Sequence, residues 1–154
     1  MEQEVTEILH ELEQDGDLSK ERQFCQHGTT SVYAHSVGVA CCSLAIARYL
    51  HLRVREREMI RGALLHDYFL YDWHDPSNGH RLHGFTHPSS ACRNAERDYR
   101  ISAVERNIIR RHMFPMTVVP PTCREAWIVC LADKYCACQE TVQPRLRRLL
   151  QGWG

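Results

Sequence analysis

The sequence predicts an all-α domain, on three observations. Apolar residues recur at i, i+3, i+4 and i+7 along most of the chain, the period of one helix face. No segment alternates apolar and polar residues at the strand period. Gly, Pro and Ser/Thr cap signals fall between the periodic segments, where helices start and stop.

The first helix is read from Val5, Ile8, Leu9 and Leu12, with Gly16 just past its end. A further helical turn or two fits Ser19 to Cys25. Ser31, or a nearby Thr, caps the next helix, which runs to about Leu50 and carries Val32, His35, Val39, Cys42, Ile46 and Leu50 on one face. Another helix is expected from about Arg55 to Asp67, with Met59, Ile60, Ala63 and Leu64 inward. From Tyr68 to Thr86 the pattern stops, in a His- and aromatic-rich stretch broken by Asp75-Pro76, Asn78-Gly79 and Gly84. So long an irregular stretch in a compact domain is more often functional than passive.

Helix is expected to resume at Pro88, a residue suited to a first helical position. Ser102 and Glu105 have capping-box spacing ahead of Val104, Ile108 and Ile109, with an end at His112 before Pro115. Thr122 and Glu125 repeat that spacing ahead of Trp127, Ile128, Cys130, Leu131 and Tyr135. Pro144 opens a last amphipathic segment through Leu150.

With 154 residues, a single domain spanning 1–154 is expected, large enough to bury a core without staples. Lys plus Arg equals Asp plus Glu at 19 each, which disfavours a polyanion partner such as nucleic acid. No run approaches ~18 uninterrupted apolar residues, so no membrane span is expected. Eight cysteines without a C-x-x-C pair, several on apolar stretches, and no apolar leader point to free thiols and a cytoplasmic setting.

The histidines are less ordinary. Five of the ten fall between His66 and His87. The His66-Asp67 doublet closes an apolar helix. Adjacent helical residues point about 100° apart, so both reach one ion only if the helix end faces it. A lone His on an apolar face, such as His35, is most simply a core residue. Asp133 is harder to neutralise, because Trp127 to Cys136 is almost wholly apolar and a buried carboxylate is costly unless paired or metal-bound. Together His35, His66, Asp67 and Asp133 form a four-ligand N/O set that suits Mn, Fe, Ni, Zn, Co or Mg.

In order and in local context these residues resemble the HD-domain superfamily of metal-dependent phosphohydrolases. The resemblance covers about residues 31–140. It rests on His35 within Ser31 to Ala40, the doublet within Arg61 to Asp67, and Asp133-Lys134 after Val129 to Ala132. It implies an all-helical HD-domain fold with a central metal-binding cleft. Some members hold a second metal with two further histidines. His87 and His112 stand where those fall, with Asp67 as the bridge, and the binuclear form is favoured. The sequence departs from better-defined subfamilies: Tyr68-Phe69-Leu70 stands where cyclic-dinucleotide phosphodiesterases have Gly-Tyr-Pro. Leu70-Tyr71 replaces the acidic pair of some nucleotide hydrolases, with Asp72 and His74 as later substitutes.

The implied activity is hydrolysis of a phosphate mono- or diester of a small molecule, a nucleotide among the candidates, by metal-activated water. The cofactor is one or two divalent ions. Asp67 or Asp133 orients the water. Lys134, and His83 or Arg81, neutralise charge or protonate the leaving group. Tyr71, Trp73 and Phe85 are available to stack on a ring. Two alternatives stand beside this reading: a di-iron oxygenase, and a metal-stabilised binding or signalling module without turnover.

Overall fold

A computed structural model describes residues 2–27, 30–72 and 82–151, with the side chains of 2, 27 and 143–151 excepted. His74, His80, Arg81 and Trp73 lie outside the described residues. The chain is all-α, as its periodicity predicts. The helices are α1 (Glu2–Asp15), α2 (Val32–Tyr49), α3 (Glu56–Leu64), α4 (His83–Asp98), α5 (Ala103–Arg111) and α6 (Arg124–Gln151), with a 3-10 helix at Leu18–Gln23. A two-stranded antiparallel ribbon pairs β1 (Cys25–His27) with β2 (Thr30–Ser31). It is too short to leave a strand-period signal in the sequence. Among the described residues, no helix is long and apolar enough to cross a membrane.

α2 is the central helix, packed against α3 and α6, and α5 closes the other side of that pair. Ser31 caps α2 by accepting the Ala34 N–H. The buried face of α2 runs through Val32, His35, Ser36, Val39, Ala40, Ser43, Leu44 and Ala47. This rotates the expected face: Cys42 and Ile46 are only half-buried and Leu50 is exposed. Small residues on the true face let neighbouring helices approach, so the long apolar side chains do not alone mark the core. α3 approaches α5 closely at Gly62, where an added Cβ would lie 2.5 Å from Ile108 Cδ1. Ser102 and Glu105 complete their capping box at the start of α5. The Glu105 carboxylate also accepts from Arg61 Nε at 2.7 Å, tying α5 to α3.

Four helix boundaries differ from expectation, the first being α3, which stops at Leu64 rather than about Asp67. Pro88 lies inside α4, not at its start. The first turn is already closed ahead of it, because Phe85 and Thr86 both donate their N–H to the Leu82 carbonyl. Thr122 and Glu125 do not form a capping box. Asn107 bonds both the Thr122 N–H and its hydroxyl, and Glu125 Oε1 accepts from the Arg55 N–H, so distant partners replace the local pair. α6 continues through Pro144 rather than restarting there. Proline removes one helical N–H and the helix absorbs that loss.

The N-terminal elements are fastened to this core by two tyrosines. The Tyr68 hydroxyl donates to Asp98 and accepts the Asp17 N–H. The Tyr99 hydroxyl donates to the Leu12 carbonyl and accepts the Leu18 N–H.

Candidate metal centre

α3 ends at Leu64, and His66-Asp67 form the turn that follows, closed by Tyr68 N–H on the Leu65 carbonyl and Phe69 N–H on the Asp67 carbonyl. Leaving helical geometry frees both side chains to face one place. α2 supplies His35, α4 supplies His87, His112 is the residue that ends α5, and α6 supplies Asp133. All six side chains are buried.

The imidazoles are oriented in one sense. Nδ1 of His66 lies 2.7 Å from the Ala63 carbonyl, that of His87 2.8 Å from the His83 carbonyl, and that of His112 2.9 Å from the Ile109 carbonyl. A carbonyl can only accept, so each Nδ1 carries a proton, and in the neutral ring each Nε2 carries the lone pair. His35 Nδ1 faces the Glu140 carboxylate at 3.0 and 3.1 Å, to the same effect. Fixing the outer nitrogen in this way is how ligating histidines are held.

The four Nε2 atoms meet two carboxylates. Asp133 Oδ1 lies 3.1 Å from His35 Nε2 and 3.8 Å from His66 Nε2. Asp67 Oδ2 lies 3.3 Å from His66 Nε2, while its Oδ1 lies 3.1 Å from His87 Nε2 and 3.5 Å from His112 Nε2. Two groups are therefore tight enough for an ion: His35, His66 and Asp133, and His66, Asp67 and His112. An imidazole Nε2 has one lone pair and cannot serve two ions. A carboxylate has two oxygens and can, so Asp67 is the group able to join the two sides.

Electrostatics favour a cation here. Burial opposes ionisation of Asp67 and Asp133, but the neighbouring histidines outweigh it and hold both carboxyls well below the usual range. Burial likewise disfavours the His35 cation, yet Asp133 and Glu140 outweigh it and lift its pKa to about 9. His66 is raised against burial by Asp67 and Asp133. Burial pushes His112 down. Protons on His35 and His66 thus stand where a metal would supply the charge. His66 Nε2 and Asp67 Oδ1 have no aligned hydrogen bond among the described residues, as expected of atoms reserved for an ion. The donor set fits divalent metal binding.

Other expected site residues fall at the rim or in support. His83 stacks on His87 with ring centroids 4.6 Å apart and contacts the Tyr71 hydroxyl through Nδ1 at 3.0 Å. The Tyr71 ring packs against Phe69, while Phe85 is exposed. Asp72 is exposed at the edge of the described residues. Lys134 Nζ donates to the His112 carbonyl at 2.7 Å and contacts the Cys130 carbonyl and Sγ, so its charge secures His112.

Three contributors carry no mark in the sequence reading. Glu140 lies two helical turns beyond Asp133 on the same face of α6, a spacing that could have revealed it. Gln26, in β1, donates to Asp67 Oδ2 at 2.5 Å. Glu21, in the 3-10 helix, is buried among the charges of Asp67, His66 and His35. Both belong to elements without a helical repeat. The described cysteines are free.

A family model described as HD domain matches residues 32–138, more than half of the chain. No curated protein and no solved structure gives a significant match.

Proposed function

Because the chain belongs to the HD-domain family, within the metal-dependent phosphohydrolases, we propose that it hydrolyses a phosphate mono- or diester of a small molecule at a two-metal centre. The observation that supports this most is the common orientation of His35, His66, His87 and His112, each with Nδ1 tied outward and Nε2 turned to Asp67 or Asp133.

His35, His66 and Asp133 would hold one ion and His87 and His112 the other, with Asp67 near both sets. Divalent ions held there would supply hydroxide near neutral pH, by lowering the pKa of water from ~15.7 towards ~7, and would offset phosphoryl charge. Asp67 lies between the groups and accepts a hydrogen bond from the attacking water. His83, half-buried at the rim and braced by Tyr71, delivers a proton to the departing oxygen. Lys134 keeps His112 in register. A ring-bearing substrate such as a nucleotide would meet the exposed Phe85 face at the start of α4.

The test is metal analysis of the purified chain joined to a screen of phosphate mono- and diesters with Mn, Fe, Ni, Zn, Co and Mg. Changing His66 and Asp67 together to Ala removes both bound metal and hydrolysis. Activity that survives that double change overturns the proposal. Oxygen consumption by an iron-loaded chain that cleaves no phosphate ester would favour oxygenase chemistry instead.

A further inference from the structure

We propose that Glu21 is a positioning residue of the metal centre, its carboxylate receiving a hydrogen bond from metal-held water and so strengthening metal binding. The inference rests on the reading of the site as a metal centre. It adds a residue from the 3-10 helix Leu18–Gln23, outside the residues 32–138 that the family model matches.

Three observations carry it. Glu21 is 1% exposed, and neither carboxyl oxygen has a hydrogen-bond partner among the described residues. A carboxyl group buried without a partner is costly and persists where something else uses it. Second, the charges acting on it most strongly are Asp67, His66 and His35, three residues of the centre on two different elements. It does not belong to either tight ligand group, so it stands beside the candidate ligands rather than among them. Third, its position is fixed. The Tyr68 and Tyr99 hydroxyls take the Asp17 and Leu18 N–H groups just ahead of it, and the Phe24 N–H closes on its own carbonyl. Five residues on, Gln26 already reaches Asp67 Oδ2, so this segment lies against the site.

A side chain kept only for packing would do better as Met or Leu. A carboxylate beside a cationic centre explains why the position is acidic.

The test compares the wild-type chain with Glu21→Gln and Glu21→Met, measuring Mn²⁺ affinity by titration calorimetry and by the EPR signal of free Mn²⁺. Melting of the metal-free chains is followed in parallel. Loss of an outer partner of a metal site typically costs about 10–100-fold in affinity. Both variants should bind Mn²⁺ about 10–100-fold more weakly, while their metal-free forms melt at or above the wild-type temperature. Wild-type Mn²⁺ affinity in either folded variant overturns the inference and leaves the metal centre standing. A wild-type chain that takes up no metal overturns both. If Glu21→Gln fails to fold, Glu21→Met alone decides by the same comparison. If neither variant folds, Glu21 is a structural residue and the inference is wrong.

Discussion

His87 and His112 meet Nε2 to Nε2 at 2.8 Å, and each has its Nδ1–H committed to a carbonyl of its own helix. Two neutral rings so held present lone pairs to each other. Only a proton or a cation between them makes that contact favourable. His112→Ala should therefore lower the metal content of the chain by one ion and leave the group around His35 and Asp133 loaded. His35→Ala should do the converse. Elemental analysis after desalting reads both. Equal, complete loss of metal in each variant would show a single shared ion.

The protons that stand in for metal give the chelated protein a particular pH response. His35 is raised from 6.5 to about 9, and His66 is raised in the same direction. A raised histidine contributes stability fully below its unfolded pKa, and that stability fades as pH climbs through the folded value. Asp67 and Asp133 are lowered, so their contribution is present above the ordinary carboxylate pKa and fades in acid. The metal-free chain should be most stable between about pH 4.5 and 6.5 and lose a few kcal/mol towards pH 9. With metal bound, the loss towards pH 9 should vanish. Denaturant melts at stepped pH, with and without chelator, measure the difference.

Glu140 holds His35 from outside the ligand groups, through contacts at 3.0 and 3.1 Å. Glu140→Gln keeps the size of the side chain and removes its charge. It should weaken metal binding about 10–100-fold, the usual cost of losing a carboxylate behind a ligating histidine. Affinity by calorimetry is the measurement, and an unchanged value would show that α6 and Asp133 alone position His35.

Glu105 offers a contrast, because it lies away from the centre. One carboxylate completes the Ser102 cap and pairs with Arg61, which joins α5 to α3. Glu105→Ala should cost about 2–4 kcal/mol of stability, from a lost cap and a broken buried pair. Glu105→Gln should cost less, since it can keep the cap. Both should retain wild-type metal stoichiometry once folded.

Much of this site was legible because its parts sit on strongly periodic helices. His35 falls among Val32 and Val39 on a face that must be buried, and Asp133 sits in an apolar run that leaves its charge unexplained. The doublet's two side chains reach one place because α3 stops at Leu64, which the sequence marks only through the end of its periodicity. Glu21 and Gln26 were illegible for the opposite reason. A single 3-10 segment and a three-residue strand have no repeat to reveal an inward face, and Glu21 stands in a run of charged neighbours that reads as solvated. The capping-box spacing at Thr122 misled because Asn107 and Arg55 take both partners, a competition between distant groups that no local pattern contains.

Lys134 separates a role in charge from a role in position. The sequence places it beside Asp133, where an ammonium could offset phosphoryl charge. The structure turns Nζ onto the His112 carbonyl at 2.7 Å, with Cys130 contacts at 3.4 and 3.3 Å. His112 is the C-cap residue of α5, and the carbonyl Lys134 takes is one that helix cannot satisfy at its end. Lys134→Met should cost about 1–3 kcal/mol by leaving that carbonyl without its charged donor. It should also loosen the ion held by His87 and His112 while sparing the ion at His35. KM for substrate should stay within about twofold at saturating metal, because no ground-state contact is removed. A large rise in KM with unchanged metal affinity would place the ammonium on the phosphate instead, and Lys134→Arg would then restore binding through its own charge.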